Sequence, residues 1–307
     1  MKRLKLLPTL AAATALVLAG CGGDGDDDPL AEDTGGDSGG GDTIVVGSAN
    51  FPENVLLAEI YAGALDAAGI EADTKPNIGA RETLVPALED GSIQMIPEYT
   101  GNLRLYFDEN VKATDAQEVY DELLTVLPEG LEVTEYSEAE DKDAVVVTQE
   151  TAEEYDLTSI ADLAPVAGDL KLGGPSEWKT RFTGVPGLKE VYGVEFGDFV
   201  ELDAGGPLTL NGLRDGRVDA GNLFTTDPAL AEGDLVVLED PEPLFAAQNI
   251  VPLLSSDVAT DEVKATLDEV SAALDTELLG ELLARVVTDK EDPEDVAEDF
   301  LAEAGLD

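Results

Sequence analysis

One short pattern occurs twice in this sequence, and it restricts the fold more than any other feature. Leu88-Glu89-Asp90-Gly91-Ser92-Ile93 and Leu213-Arg214-Asp215-Gly216-Arg217-Val218 each read as a helix end, a glycine turn and a strand start. Continued without a gap, the two stretches set Tyr99-Thr100 opposite Phe224-Thr225. Each half then delivers an aromatic residue and a threonine at the carboxyl end of a strand. Helix–Asp–Gly–strand is a common connection, so the pattern alone is compatible with coincidence. Open α/β sheets bind ligands at that strand edge, and two similar lobes facing one cleft are therefore the expectation.

The rest of the chain from Thr43 onward fits an α/β architecture, with short apolar runs alternating with amphipathic stretches. Ile44-Val45-Val46 reads as a strand running into a turn at Gly47-Ser48-Ala49-Asn50. A helix follows with Pro52 in its first turn, Val55, Leu56, Ile60 and Leu65 as its buried stripe, and Gly69 as its stop. A second helix runs near Arg81 to Glu89, and Ile93 to Ile96 is a strand entering Pro97-Glu98-Tyr99-Thr100-Gly101. Thr114-Asp115-Ala116-Gln117 and Thr151-Ala152-Glu153-Glu154 have the form of capping boxes. Strands are expected at Ala144–Val147, at Lys171–Gly174, at Leu235–Leu238 and at Ile250–Leu254. From Thr260 the chain reads as helical, with starts near Thr260, Thr276 and Pro293.

Ahead of Thr43 lies a different kind of sequence. Lys2, Arg3 and Lys5 precede an apolar run from Leu6 to Leu18 that is too short for a membrane span, and Leu18-Ala19-Gly20-Cys21 ends it. This resembles a bacterial lipoprotein signal, with Cys21 as the lipidated residue of a 1–21 leader. Residues 22–42 are rich in Gly and Asp and nearly free of apolar residues, the composition of a flexible, self-repelling linker. The expected location is the outer face of the bacterial cytoplasmic membrane.

Composition removes several classes of function. The 307 residues carry 17 Lys and Arg against 67 Asp and Glu, a formal net charge of −50. Such a surface repels nucleic acid and anionic headgroups, so neither is expected as a partner. There is no histidine and a single cysteine, which removes the commonest general base and any disulfide within the chain. No nucleophile–base pair, metal cluster or phosphate loop is present, so neither an enzyme nor a bound cofactor or metal is expected.

Several ordered motifs resemble the glycine betaine, choline and osmoprotectant-binding proteins of ABC transporters. They are Val46-Gly47-Ser48-Ala49-Asn50-Phe51-Pro52-Glu53, Pro97-Glu98-Tyr99-Thr100-Gly101, Gly187-Leu188-Lys189-Glu190-Val191-Tyr192-Gly193 and Asp234-Leu235-Val236-Val237-Leu238-Glu239-Asp240. The resemblance implies a two-lobe periplasmic-binding fold of type II with two crossover segments. Residues 43–145 plus 249–307 would form lobe 1, and 146–248 lobe 2. It also implies closure on a small quaternary amine and delivery to ABC permease subunits. The alternatives are a binding protein for another amine or amino-acid-like solute, and a tethered sensor without a transport role.

Proteins of this kind hold a quaternary ammonium among aromatic rings, because that group has no N–H to donate. By the resemblance, Tyr99 keeps a cage position and Arg181 stands where a ligand carboxylate is bound. Asn50 and Asn102 lie in the two motif turns, Asn102 replacing a threonine. Ala49 replaces a lysine, while Asp143 and Gln248 replace cage tyrosines, and the remaining cage position falls on Phe224, which retains a ring, or on Leu223. Asp141-Lys142-Asp143 also reads as a solvated turn; where Asp143 instead faces the cleft, the exchanges at Ala49 and Asp143 make the pocket more negative. They favour a cation, or a ligand with N–H donors, over betaine itself. The resemblance leaves open whether Trp178 lines the cleft or fills the core of the second lobe.

Overall fold

The computed structural model describes residues 43–307. Cys21, the 1–21 leader and the 22–42 linker lie outside the described residues. The apolar run after Thr43 forms β1 (Ile44–Gly47), and α1 (Pro52–Ala67) follows with Pro52 in its first turn. Leu56, Ile60 and Leu65 are fully buried, as the stripe predicts, whereas Val55 is only half-buried. Gly69 has φ +83°, a conformation that ends a helix at little cost only for glycine.

The chain continues through β2 (Ala72–Lys75), α2 (Arg81–Glu89), β3 (Met95–Tyr99), α3 (Thr100–Phe107), α4 (Ala116–Val126) and β4 (Leu131–Val133). It then builds β5 (Asp143–Thr148), α5 (Gln149–Tyr155), β6 (Lys171–Gly174), α6 (Val185–Tyr192), β7 (Asp198–Glu201), α7 (Pro207–Arg214), β8 (Ala220–Phe224) and β9 (Leu235–Val237). The last elements are β10 (Ile250–Ser255), α8 (Asp261–Ala273), α9 (Thr276–Ala284) and α10 (Pro293–Ala304).

Two sheets result, in the orders β2-β1-β3-β10-β4 and β7-β6-β8-β5-β9. In each, three strands are parallel and a fourth enters antiparallel beside the third: β10 beside β3, with Ile250 opposite Tyr99, and β5 beside β8, with Asp143 opposite Phe224. The chain crosses between sheets twice, after β4 and after β9. Asp143, Ala144 and Val145, assigned above to lobe 1, pair within the second sheet. Buried aliphatic layers cover both faces of each sheet, as parallel strands require.

Three local expectations shift. The strand read as Ile93–Ile96 begins at Met95, because the amides of Ser92 and Ile93 both bond back to Ala87 O within the glycine turn. Asp115, not Thr114, caps α4 by accepting from the Gln117 amide at 3.1 Å. Thr148 caps α5, accepting from the Thr151 amide at 3.1 Å, so the second expected box lies inside the helix it was meant to start. In both cases a nearer oxygen reaches the unpaired amides first.

Candidate functional site

The carboxyl ends of β1, β3, β6 and β8 open onto a cavity of about 220 Å³ between the two sheets. Three of the rings on its wall form one group. Phe51 lies 6.1 Å from Tyr99 and 5.1 Å from Phe224, centroid to centroid. Phe51 and Tyr99 come from the first lobe and Phe224 from the second, so the group joins both. Tilted rings of this kind present faces that attract a cation.

Tyr99 is held by a buried polar network. Its hydroxyl donates to Glu53 Oε1 at 2.7 Å, while Thr226 Oγ1 donates to Glu53 Oε2 at 2.6 Å from the second lobe. Asp141, in the first crossing, accepts from the Thr226 amide at 3.1 Å and from Thr225 Oγ1 at 3.2 Å. Burial raises the pKa of Glu53, although the bonds from Thr226 and Tyr99 oppose it. Burial, followed by the charge of Glu53, pushes Asp141 well above the usual carboxylate range. Burial and the same Glu53 charge raise the Tyr99 phenol.

Beside this network sits Asp143, 6 % exposed on the cavity wall. Its Oδ1 accepts from Asn222 Nδ2 at 2.9 Å and Trp178 Nε1 at 3.3 Å, and its Oδ2 accepts from Asn102 Nδ2 at 2.9 Å. The amide oxygens of Asn102 and Asn222 are buried without a partner. Trp178 resolves the alternative left above by doing both things. It is 1 % exposed and stacks on Phe245 at 6.3 Å in the second lobe's core, while its N–H reaches the cavity edge.

Two arginines line the cavity against five carboxylates, those of Glu98, Asp141, Asp143, Glu177 and Asp203. Arg81 is committed to Glu98 through two bonds, Nε to Oε1 at 2.8 Å and a terminal nitrogen to Oε2 at 2.6 Å. Arg181 reaches from the second lobe to Glu82 of the first, also through two bonds, at 2.9 and 2.7 Å. Burial opposes the Arg181 charge, but the bonds and charge of Glu82 outweigh it and raise its pKa. The Glu82 pKa is lowered by Arg181, against its own burial.

Of the residues singled out in the sequence, Asn50, Tyr99, Asn102, Asp143, Arg181 and Phe224 all line this cavity. Gln248 does not. It is 1 % exposed and its Oε1 accepts from the Asn102 amide at 2.9 Å, so it supports the wall from behind. Gly101 makes room for that arrangement, since a Cβ there would lie 2.4 Å from Ala247 O. Sequence reasoning missed Phe51, Glu53, Arg81, Asp141 and Asn222. For Asn222 there was a signal, because it stands two residues before Phe224 and shares its face of β8.

Residues 42–303 match the family described as the substrate-binding domain of the ABC-type glycine betaine transport system. The chain belongs to this family. It is 28 % identical over 276 residues to the glycine betaine-binding protein YehZ of Escherichia coli K12, covering 85 % of this chain and 90 % of that relative. A glycine-betaine-binding protein of Pseudomonas aeruginosa is 27 % identical over 280 residues, 86 % of this chain and 89 % of its own length. Among solved structures, a glycine betaine/carnitine/choline ABC transporter protein superposes with a TM-score of 0.66 at 22 % identity, covering 86 % of this chain and 99 % of that one. The fold is the two-lobe type II periplasmic-binding fold, and the chain is a substrate-binding component of an ABC transport system. Among the described residues, no helix is long and apolar enough to cross a membrane.

Proposed function

We propose that the cavity between the sheets captures a small quaternary amine of the osmoprotectant type, such as glycine betaine or choline, by closure of the two lobes. The observation that carries this reading is the convergence of Phe51 and Tyr99 from one lobe with Phe224 from the other, on a wall richer in carboxylates than in arginines. A quaternary ammonium is attracted by ring faces, at about 0.5–2 kcal/mol each when desolvated. The amines named for the relatives support the same class. Closure brings the rings of both lobes onto one ligand, with hinge motion in the two crossings, between β4 and β5 and between β9 and β10.

The closed form is read by ABC permease subunits in the membrane. The protein acts there from the outer face, held by a lipid on Cys21 and the 22–42 linker. Loss of membrane retention in Cys21→Ser, with the unmodified mass of the released protein, tests the anchor. A thermal-unfolding screen against betaines, choline, carnitine, amino acids and polyamines tests the ligand. A ligand at a hundred times its Kd stabilises the folded state by about 2.7 kcal/mol. Absence of a response to every quaternary amine would overturn the assignment.

A further inference from the structure

We propose that Asp143, Asn102 and Asn222 form a donor-seeking end of this pocket, which selects cations bearing an O–H or N–H group and disfavours ligands ending in a carboxylate. The inference rests on the cavity being the ligand site, as proposed above, and goes further by naming which end group it accepts.

Asp143 stands between the two asparagines. As a carboxylate it accepts only, so each asparagine bonded to it must turn its NH2 group inward. For Asn222 the orientation is fixed twice over, because Nδ2 donates both to Asp143 at 2.9 Å and to Leu223 O at 3.2 Å. Neither amide can rotate without facing an oxygen with an oxygen. Both Oδ1 atoms are left as acceptors, buried and without a partner. Asn222 is fully buried on the cavity wall, where an unsatisfied acceptor is tolerated only if something completes it. That end of the pocket is thus a carboxylate flanked by two amide oxygens, with both Asn222 N–H groups used and only the second N–H of Asn102 left as a donor.

A ligand O–H or N–H satisfies this surface. A ligand carboxylate adds a fourth group that can only accept. The two arginines that could counter it already face carboxylates, Arg81 on Glu98 and Arg181 on Glu82. Asp143 lies directly opposite Phe224 across β5 and β8, and Asn222 shares the Phe224 face. The donor-seeking end and the ring group are therefore neighbours on one wall of the cavity.

The test is calorimetric titration of the full chain with four probes that share a methylated ammonium. They are tetramethylammonium, choline, (2-aminoethyl)trimethylammonium and glycine betaine. Choline and the aminoethyl compound are expected to bind at least about tenfold tighter than the other two, since a site built for a hydrogen bond rejects analogues that cannot make it. Whichever of the two binds tighter identifies the donor. Glycine betaine binding as well as choline would overturn the inference while leaving the quaternary-amine reading intact, and so would tetramethylammonium matching choline. Silence from all four probes would remove both.

Asp143→Asn lets the Asn102 amide turn and present N–H, and should shrink the choline-to-betaine ratio at least tenfold. Asn102→Ala, at a less buried position, should lower the same ratio. An unchanged ratio in both would overturn the assignment to these residues. If Asp143→Asn fails to fold, the wild-type ranking and Asn102→Ala still decide.

Discussion

The segment from Arg81 to Tyr99 and the segment from Pro207 to Phe224 are the same device built twice. Asp90 and Asp215 end their helices with φ −87° and −86°, and the glycines that follow have φ +78° and +67°. The amides of Ser92 and Ile93 bond to Ala87 O, as those of Arg217 and Val218 bond to Gly212 O. Each then starts a third parallel strand, through Gln94 N to Val45 O and Asp219 N to Lys171 O, both at 2.9 Å. The difference lies after the last strand residue. In the first copy the polar groups near the aromatic are matched within the lobe, Tyr99 to Glu53 and Glu98 to Arg81. In the second, Phe224 leads into Thr225 and Thr226, which bond to Lys142 and Asp141 in the crossing and to Glu53 in the other lobe. The first end finds most of its partners in its own lobe; the second is fastened to the crossing and to the other lobe. A duplicated scaffold thus ends in two different sets of polar partners.

The largest expected effect breaks the first of these ends. Arg81→Ala leaves Glu98, 3 % exposed, as an uncompensated buried charge, and should cost about 3–5 kcal/mol in urea unfolding. Next come Gly91→Ala and Gly216→Ala. Each forces a Cβ into the left-handed region at about 1–2 kcal/mol, with nothing within 4 Å of that Cβ to add to it. Equal costs would support the equivalence of the two copies, and a clear inequality would break it. Phe224→Ala removes the ring that the second lobe adds to the Phe51–Tyr99 group and should weaken quaternary-amine binding by about 0.5–2 kcal/mol in calorimetry.

Arg181→Gln should change unfolding stability by only about 0.2–1 kcal/mol, because this pair is partly exposed and joins two lobes rather than a core. The smallest effect is a slope. The raised pKa of Asp141 means its contribution is fully present below the unfolded value of about 4 and is lost as pH rises through the higher folded value. Asp141→Asn should flatten the fall in stability over that window, measured by unfolding midpoints against pH.

Sequence showed the duplicated turn, the strands and the strand-end aromatics because these depend on neighbours in the chain. The glycine φ values and the periodicity of the C-terminal helices are local properties, and α8, α9 and α10 start where Thr260, Thr276 and Pro293 place them. The polar partnerships were not legible. Glu53 meets Thr226 across 173 positions and Arg181 meets Glu82 across 99, so nothing in either neighbourhood indicates the other. Gln248 illustrates the same limit. Its place in the motif order put it at the ligand, but the close approach of Gly101 to Ala247 turns its side chain toward the Asn102 backbone. The α3 helix was hidden because Thr100 and Gly101 read as the tail of a strand.

The Arg181–Glu82 bridge joins the two lobes rather than two parts of one core, so its attraction acts across the cleft. Mobile ions set the range of that force. It extends about 8 Å at physiological ionic strength but only about 3 Å at 1 M. At the higher salt the attraction dies away within a gap narrower than the width of a small solute. The reach of the Arg181–Glu82 attraction is therefore tied to the ionic strength outside, and a brine-like medium weakens it while leaving the buried Arg81–Glu98 pair far less affected.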